Sequence, residues 1–175
     1  QSFDYIVIGA GSAGAVIASR LSEDPDVTVL LLEAGGRDSH PFQLMPIAFR
    51  TVFESRRYNW NYETEPEPGL HGRRLAIPRG KTLGGSSSIN AMICIRGNRR
   101  DYDLWRQQGR EGWSYADVLP YFQRLERSWR GAGPYHGSDG PVAVTPIDYP
   151  DMLYEPLRQA AAAAVITSND DANGE

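Results

Sequence analysis

Six residues near the start of the chain, Gly9-Ala10-Gly11-Ser12-Ala13-Gly14, have the composition and spacing to hold a pyrophosphate. A GxGxxG run does this when it follows a strand and opens a helix. The first glycine permits the tight turn, the second removes a Cβ from the path of the phosphates, and the third lets helix and strand pack closely. The anion then meets the unpaired N–H groups and positive dipole end of the helix. Glu33 follows six apolar or β-branched residues, Val27 to Leu32, where a carboxylate at a strand end accepts both hydroxyls of a ribose. That carboxylate would repel a 2′-phosphate, so a phosphorylated nicotinamide dinucleotide is disfavoured. FAD and NAD remain equally compatible with this motif.

A second candidate loop lies at Arg79-Gly80-Lys81-Thr82-Leu83-Gly84-Gly85-Ser86-Ser87-Ser88-Ile89-Asn90-Ala91. It concentrates backbone N–H groups, three serine hydroxyls and one amide. Gly84-Gly85 allows a flat ring or a phosphate to lie against the main chain. Asn90 offers both a donor and an acceptor to a heterocycle edge. Leu83, Ile89, Met92 and Ile93 read as core residues flanking the loop, which argues against a flexible linker.

Other reactive side chains invite less. His40, His71 and His136 fall in turn-like surroundings and read as structural or solvated. Arg99, Arg100, Asp101 and Asp103 read as a solvated charged face. Cys94, the one cysteine, reads as a buried inert thiol; it rules out an internal disulfide or a multi-cysteine metal site.

The elements that must position these groups follow from periodicity. Phe3 to Gly9 reads as a buried strand, Ser12 to Ser22 as an amphipathic helix, and Val27 to Leu32 as a second buried strand. Together they form a βαβ unit with a right-handed crossover. Residues 37–78 read as an irregular excursion. Residues 80–97 read either as a loop feeding a helix or as an extended buried segment. Residues 114–165 read as mainly helical: Ser114 caps a helix running to about Arg127, with Asp117 completing a capping box, Trp113 stapled on Val118 and Pro120 bending it. Pro141 to Thr145 reads as a strand, and Leu153 to Val165 as an alanine-rich helix.

Composition excludes several classes. The 175 residues are 41% hydrophobic and 23% charged, with a net charge of -4, which leaves no broad footprint for nucleic acid or an anionic membrane. No apolar stretch is long enough to span a bilayer, and no leader precedes the first strand, so a cytoplasmic location is expected, with peripheral membrane association still open.

Taken together, these blocks resemble the N-terminal portion of the glucose–methanol–choline (GMC) oxidoreductases. The resemblance covers nearly the whole chain: Tyr62 to Pro66, Pro78 to Asn90, Arg96-Gly97, Asp101-Tyr102, Gly112 to Tyr115, Val118 to Phe122 and Tyr135 to Gly137 occur in family order, most like the bacterial alcohol and choline dehydrogenase branch. It implies an α/β, Rossmann-like FAD-binding domain, incomplete without C-terminal segments. It also implies that Gly9, Gly11, Ser12, Ala13 and Gly14 line the FAD pyrophosphate, and that Glu33 and Ala34 meet the adenosine ribose. Arg79, Thr82, Leu83, Gly84 and Gly85 would reach the pyrophosphate and ribityl chain, and Asn90, Ala91 and Met92 would pass beside the isoalloxazine. Some members attach FAD through a histidine where this chain has Ile89, so non-covalent FAD is expected. The substrate implied is a small-molecule alcohol. The catalytic base is expected beyond residue 175, supplied by the remainder of the protein or a complementing fragment. A light-driven fatty-acid decarboxylase on the same scaffold, a non-catalytic dinucleotide-binding module and an NAD-linked dehydrogenase stand as rival readings.

Overall fold

The computed structural model describes residues 2–147 and 151–174. The chain divides into two compact units, Gln1–Ile93 and Cys94–Glu175. Residues 148–150 of the expected helical stretch lie outside the described residues.

In the first unit, strand β1 (Tyr5–Ile8) pairs in parallel with β2 (Val29–Leu32), in the register Tyr5↔Val29 to Ile8↔Leu32. Helix α1 (Ser12–Leu21) connects them and packs on both, as the βαβ reading requires. The expectation that both strands are buried is corrected. Ile8 is 85% exposed and Ile6 60%, because among the described residues the ribbon has two strands, packed by helix α1, while its sequence is apolar on both faces.

The excursion at residues 37–78 is more ordered than its lack of periodicity suggested. It contains α2 (Pro41–Leu44), α3 (Phe49–Glu54) and an antiparallel ribbon of β3 (Tyr62–Glu63) with β4 (Ala76–Ile77). Helix α3 supplies Val52 to a small core with Tyr58 and Ile89, against which Phe53 packs. These elements are too short for a periodic signal; local turns and, for α2, a side-chain cap define them. The His40 Nδ1, for example, accepts from the Phe42 N–H and starts α2. His71 sits at the end of a 3-10 turn with a left-handed backbone, φ 58°, which is a structural position.

The second unit opens with irregular chain and then α4 (Arg99–Gln107), capped by the Asn98 side chain. This helix corrects the reading of residues 99–103 as a merely solvated face. Asp103 accepts from the Tyr115 N–H at 3.0 Å and so ties α4 to the start of the next helix. Helix α5 (Tyr115–Leu125) carries the expected capping box of Ser114 and Asp117, with Pro120 inside it. Trp113 packs edge-on against Trp105 of α4 rather than serving only its own helix. The helix stops at Leu125, two residues short of expectation, because Glu126–Ser128 forms β5, parallel to β6 (Val142–Val144). Helix α6 (Tyr154–Ala163) matches the alanine-rich segment.

Between β5 and β6 the crossing chain buries a charged cluster that the sequence did not announce. The Arg96 guanidinium meets the Glu126 carboxylate at 2.5 Å, with the acid side chain only 5% exposed. His136, expected to be structural or solvated, is structural: it lies between Glu126 and Asp171. Cys94, expected to be buried, is exposed.

Removing two methyl groups from the first unit's core tests this packing. Val52→Ala, at a side chain 1% exposed, is expected to destabilise the full-length protein by about 2 kcal/mol. Urea unfolding should show the midpoint falling without a change in slope.

Candidate functional site

The glycine turn performs three distinct jobs. Gly9 adopts φ +96°, a conformation that side chains rarely tolerate. A Cβ on Gly14 would overlap the Gly9 carbonyl and press on Val7, so this glycine is required by helix–strand packing. Gly11 is different. Its φ is an ordinary -76°, and a Cβ there would find only the Gly85 Cα, at 3.8 Å. The protein itself does not forbid a side chain at Gly11. Open space over a bare backbone, at the N-terminus of the ten-residue α1, is what a phosphate needs for close approach.

The second loop closes directly on the first. The Gly84 N–H donates to the Ala10 carbonyl at 2.8 Å, and Gly11 and Gly84 form an isolated parallel bridge. A Cβ on Gly85, which sits at φ +55°, would come within 2.7 Å of the Gly11 Cα. The two glycine runs, some 70 residues apart, are therefore one surface.

Glu33 completes it. One carboxylate oxygen, Oε2, accepts from the Ala10 N–H and the other, Oε1, from the Gly35 N–H, each at 2.8 Å. The ionised carboxylate thereby fixes the turn after β1 and the turn after β2 together, and each oxygen keeps a lone pair for a ribose hydroxyl. Ala34 and Ala13 are exposed beside these turns, as is Ser12 at the first position of α1.

Thr82 requires a correction. Expected to reach the cofactor, it is 0% exposed, and its hydroxyl donates to the Gly36 carbonyl and accepts from the Gln43 amide. It is a peg between the exit of β2 and the second loop, its hydroxyl engaged on both sides and sealed from solvent. Leu83 N–H donates to the same Gly36 carbonyl at 2.8 Å, and Leu83 itself is exposed. Of the four expected core flanks, only Ile89 is buried; Leu83, Met92 and Ile93 face outward.

Arg79 is exposed, and its guanidinium bonds only the Pro78 carbonyl among the described residues, leaving donors for an anion. Its backbone is held by Asn59, a buried residue that sequence reasoning missed. The Asn59 Oδ1 accepts from the Arg79 and Asn61 N–H groups, and its amide donates to the Phe53 carbonyl at 2.5 Å. An asparagine between aromatics, Tyr58 and Trp60, was the available hint. Lys81 lies over the Trp60 ring, 4.6 Å from its centroid.

At the far end of the loop Asn90, Ala91 and Met92 are exposed. The Asn90 Oδ1 accepts from the Met92 N–H, which shapes the turn and places Met92 at φ 58°. The Asn90 amide donors and the Ala91 N–H bond nothing among the described residues. Beside them is a cavity of about 80 Å³ lined by Phe42, Gln43, Phe49, Ile89, Asn90 and Met92. The buried Gln43 Oε1 has no hydrogen-bond partner. Bare backbone at Gly11, unpaired donors at Arg79, Asn90 and Ala91, and the Glu33 carboxylate together suit a dinucleotide with a pyrophosphate, a ribose and a polar ring edge. No group of three or more potential metal ligands occurs among the described residues.

Comparison with known proteins gives a consistent picture. The family model described as GMC oxidoreductase matches residues 3–175. The chain is 53% identical over 178 aligned positions to an oxygen-dependent choline dehydrogenase of Xanthomonas euvesicatoria, covering 99% of this chain and 32% of that protein. Among solved structures, pyridoxine 4-oxidase from Mesorbium loti superposes with a TM-score of 0.83 at 37% identity, covering 93% of this chain and 32% of that one. A formate oxidase superposes with a TM-score of 0.76 at 31% identity over 93% of this chain and 30% of its own. The chain thus spans about a third of the length of the relatives it matches.

Glu33→Gln is expected to weaken nucleotide retention. An amide cannot accept from both the Ala10 and Gly35 N–H groups, so one donor would face another. Losing one charge-assisted bond predicts roughly ten- to hundredfold weaker FAD binding by the full-length protein, measured by fluorescence titration of the apoprotein.

Proposed function

This chain belongs to the GMC oxidoreductase family, and from that premise we propose that it holds FAD non-covalently for a flavoenzyme that oxidises a small-molecule alcohol. Family members bind FAD. The observation that carries the reading is the Ala10 peptide, whose N–H bonds the Glu33 carboxylate and whose carbonyl bonds the second glycine loop. A turn, a strand end and a distant loop are fixed around one strip of bare backbone, and only an elongated dinucleotide uses all three.

The residues divide the work by their chemistry. Gly11, Ser12, Ala13 and Gly14 present N–H groups and the positive end of α1 to the pyrophosphate, Gly9 makes the turn that places them while its own N–H bonds the Leu32 carbonyl, and Arg79 adds an exposed positive charge. Glu33 and Ala34 meet the adenosine ribose. Leu83, Gly84 and Gly85 run along the ribityl chain, and Thr82 holds that loop from behind. Asn90, Ala91 and Met92 border the ring, where the Asn90 amide and the Ala91 N–H are the donors. Bound there, FAD supplies the acceptor for the hydride leaving the carbinol carbon.

Ile89 supports the non-covalent reading. It is buried against Val52 and Tyr58 and carries no nucleophile. The alcohol class follows from the relatives: choline and pyridoxine, in the names of two of them, both carry primary hydroxyl groups. The substrate surface and the base that takes the hydroxyl proton belong to the portion of the protein beyond residue 175.

Two outcomes test this. The full-length protein should be yellow, and acid precipitation should leave all flavin in the supernatant with a colourless pellet. Anaerobic addition of a primary alcohol from a panel built around choline and pyridoxine should then bleach the flavin absorbance. A protein that takes up no FAD rejects the reading; one that binds FAD but is reduced by no alcohol rejects the substrate class alone.

A further inference from the structure

The second unit contains a buried charge cluster that the flavin reading leaves unused. The Arg96 guanidinium donates to Glu126 Oε2 at 2.5 Å and to the Tyr135 carbonyl at 2.6 Å. The Glu126 carboxylate also faces His136 Nδ1, at 3.1 and 3.2 Å from its two oxygens. His136 Nε2 faces Asp171 Oδ2 at 2.7 Å. Both ring nitrogens therefore point at carboxylates, which accept hydrogen bonds and donate none while ionised. A neutral imidazole has one N–H and would turn a lone pair toward one of the two acids; only the imidazolium satisfies both.

Charge balance gives the same answer. Arg96 and a protonated His136 offset Glu126 and Asp171. The side chains of Arg96, Glu126 and His136 are 8%, 5% and 11% exposed, so an uncompensated carboxylate in their midst would be poorly screened. Asp171 is 30% exposed on its side chain. Arg130 adds a positive charge near Asp171, and its guanidinium bonds the Asp170 carbonyl.

What the cluster holds is a turn. The Asp171 Oδ1 accepts from the Asn173 N–H. The buried Asn173 side chain then clamps the chain at residues 94–96: its Oδ1 accepts from the Arg96 N–H and its Nδ2 donates to the Cys94 carbonyl, both at 2.8 Å. His136 links β5, through Glu126, to this turn and so to the segment that follows the nucleotide loop in sequence.

We propose that His136 is a proton-operated latch, which as imidazolium fastens the 171–174 turn to the 94–96 segment and on losing its proton releases it. Burial alone would lower the His136 value, but its hydrogen bonds to Asp171 and Glu126 and the charges of both acids raise it above the ordinary 6.5. Burial would raise Asp171, yet bonds from His136 and Asn173 and the His136 and Arg130 charges bring it below the ordinary 3.8. A raised imidazole contributes stability that is complete below 6.5 and disappears as pH climbs through the raised value. A lowered carboxylate contributes stability that disappears as pH falls through the lowered value. The latch is closed between these limits and opens on the alkaline side.

Hydrogen exchange at the Arg96 and Asn173 amides of the full-length protein, corrected for intrinsic rates, reads the latch directly. From about pH 6 to about pH 9, wild-type protection should fall roughly tenfold for each unit by which the His136 midpoint is raised. His136→Gln should show weak protection at both ends and no step. Asp171→Asn, which preserves shape and removes one acid, should shrink the step. A wild-type protein without a step, or a His136→Gln protein that keeps it, overturns the proposal. If neither variant folds, the NMR titration of the wild-type His136 ring decides: a midpoint at or below 6.5 overturns it and a higher one supports it.

Discussion

The peptide unit at Ala10 is the constraint on which the rest of the first unit depends. Its N–H is bound to Glu33, its carbonyl to Gly84, and the residue is 2% exposed. Three stretches of chain distant in sequence are thereby locked at hydrogen-bond distance, one through the Glu33 carboxylate and one directly between backbones. The lock is possible because Gly85 has no Cβ to strike Gly11, and because Thr82 and Leu83 anchor the second loop to Gly36. A partly buried carboxylate with both oxygens bonded to backbone N–H groups is a stiff joint, stronger than neutral pairs of the same geometry. The turn after β1, the exit of β2 and the Gly84–Gly85 turn are pre-organised by that joint, so that little ordering of these backbones is left for a ligand to impose.

Much of this was readable from residue types. Gly9 and Gly14 each do what their places in GxGxxG demand, one by its φ of +96° and the other because a Cβ has no room beside the Gly9 carbonyl. The βαβ unit, the Ser114–Asp117 box and helix α6 likewise follow from short-range pattern. Thr82 was misread because chemical type alone cannot distinguish a hydroxyl facing a phosphate from one sealed between two loops. Asn59 escaped notice for the same reason: its partners, Arg79 and Phe53, are tertiary neighbours.

The apolar strand faces carry a different lesson. Val27 to Leu32 was read as buried because sequences apolar on both faces belong to covered sheets. The reading described what the residues require, and in this chain the requirement is only half met: Ile6, Ile8 and Leu32 remain exposed. The chain spans about a third of its relatives' length, which accords with strands patterned for a larger sheet. The buried cluster in the second unit was illegible for the opposite reason. Arg96, Glu126, His136 and Asp171 are spread over 76 residues, and the blocks that hold Arg96 and His136 give no sign of their acidic partners. Their meaning arises only when the parallel pairing of β5 with β6 brings the crossing chain back over Glu126.

The joined glycine loops are tested most directly by measuring FAD affinity in two variants of the full-length protein. Gly85→Ala places a Cβ within 2.7 Å of the Gly11 Cα, whereas Gly69→Ala, in the turn between β3 and β4, meets nothing within 4 Å. The account predicts that Gly85→Ala, folded as judged by circular dichroism, loses at least about tenfold in affinity while Gly69→Ala matches the wild type. A folded Gly85→Ala protein with undiminished affinity would contradict it.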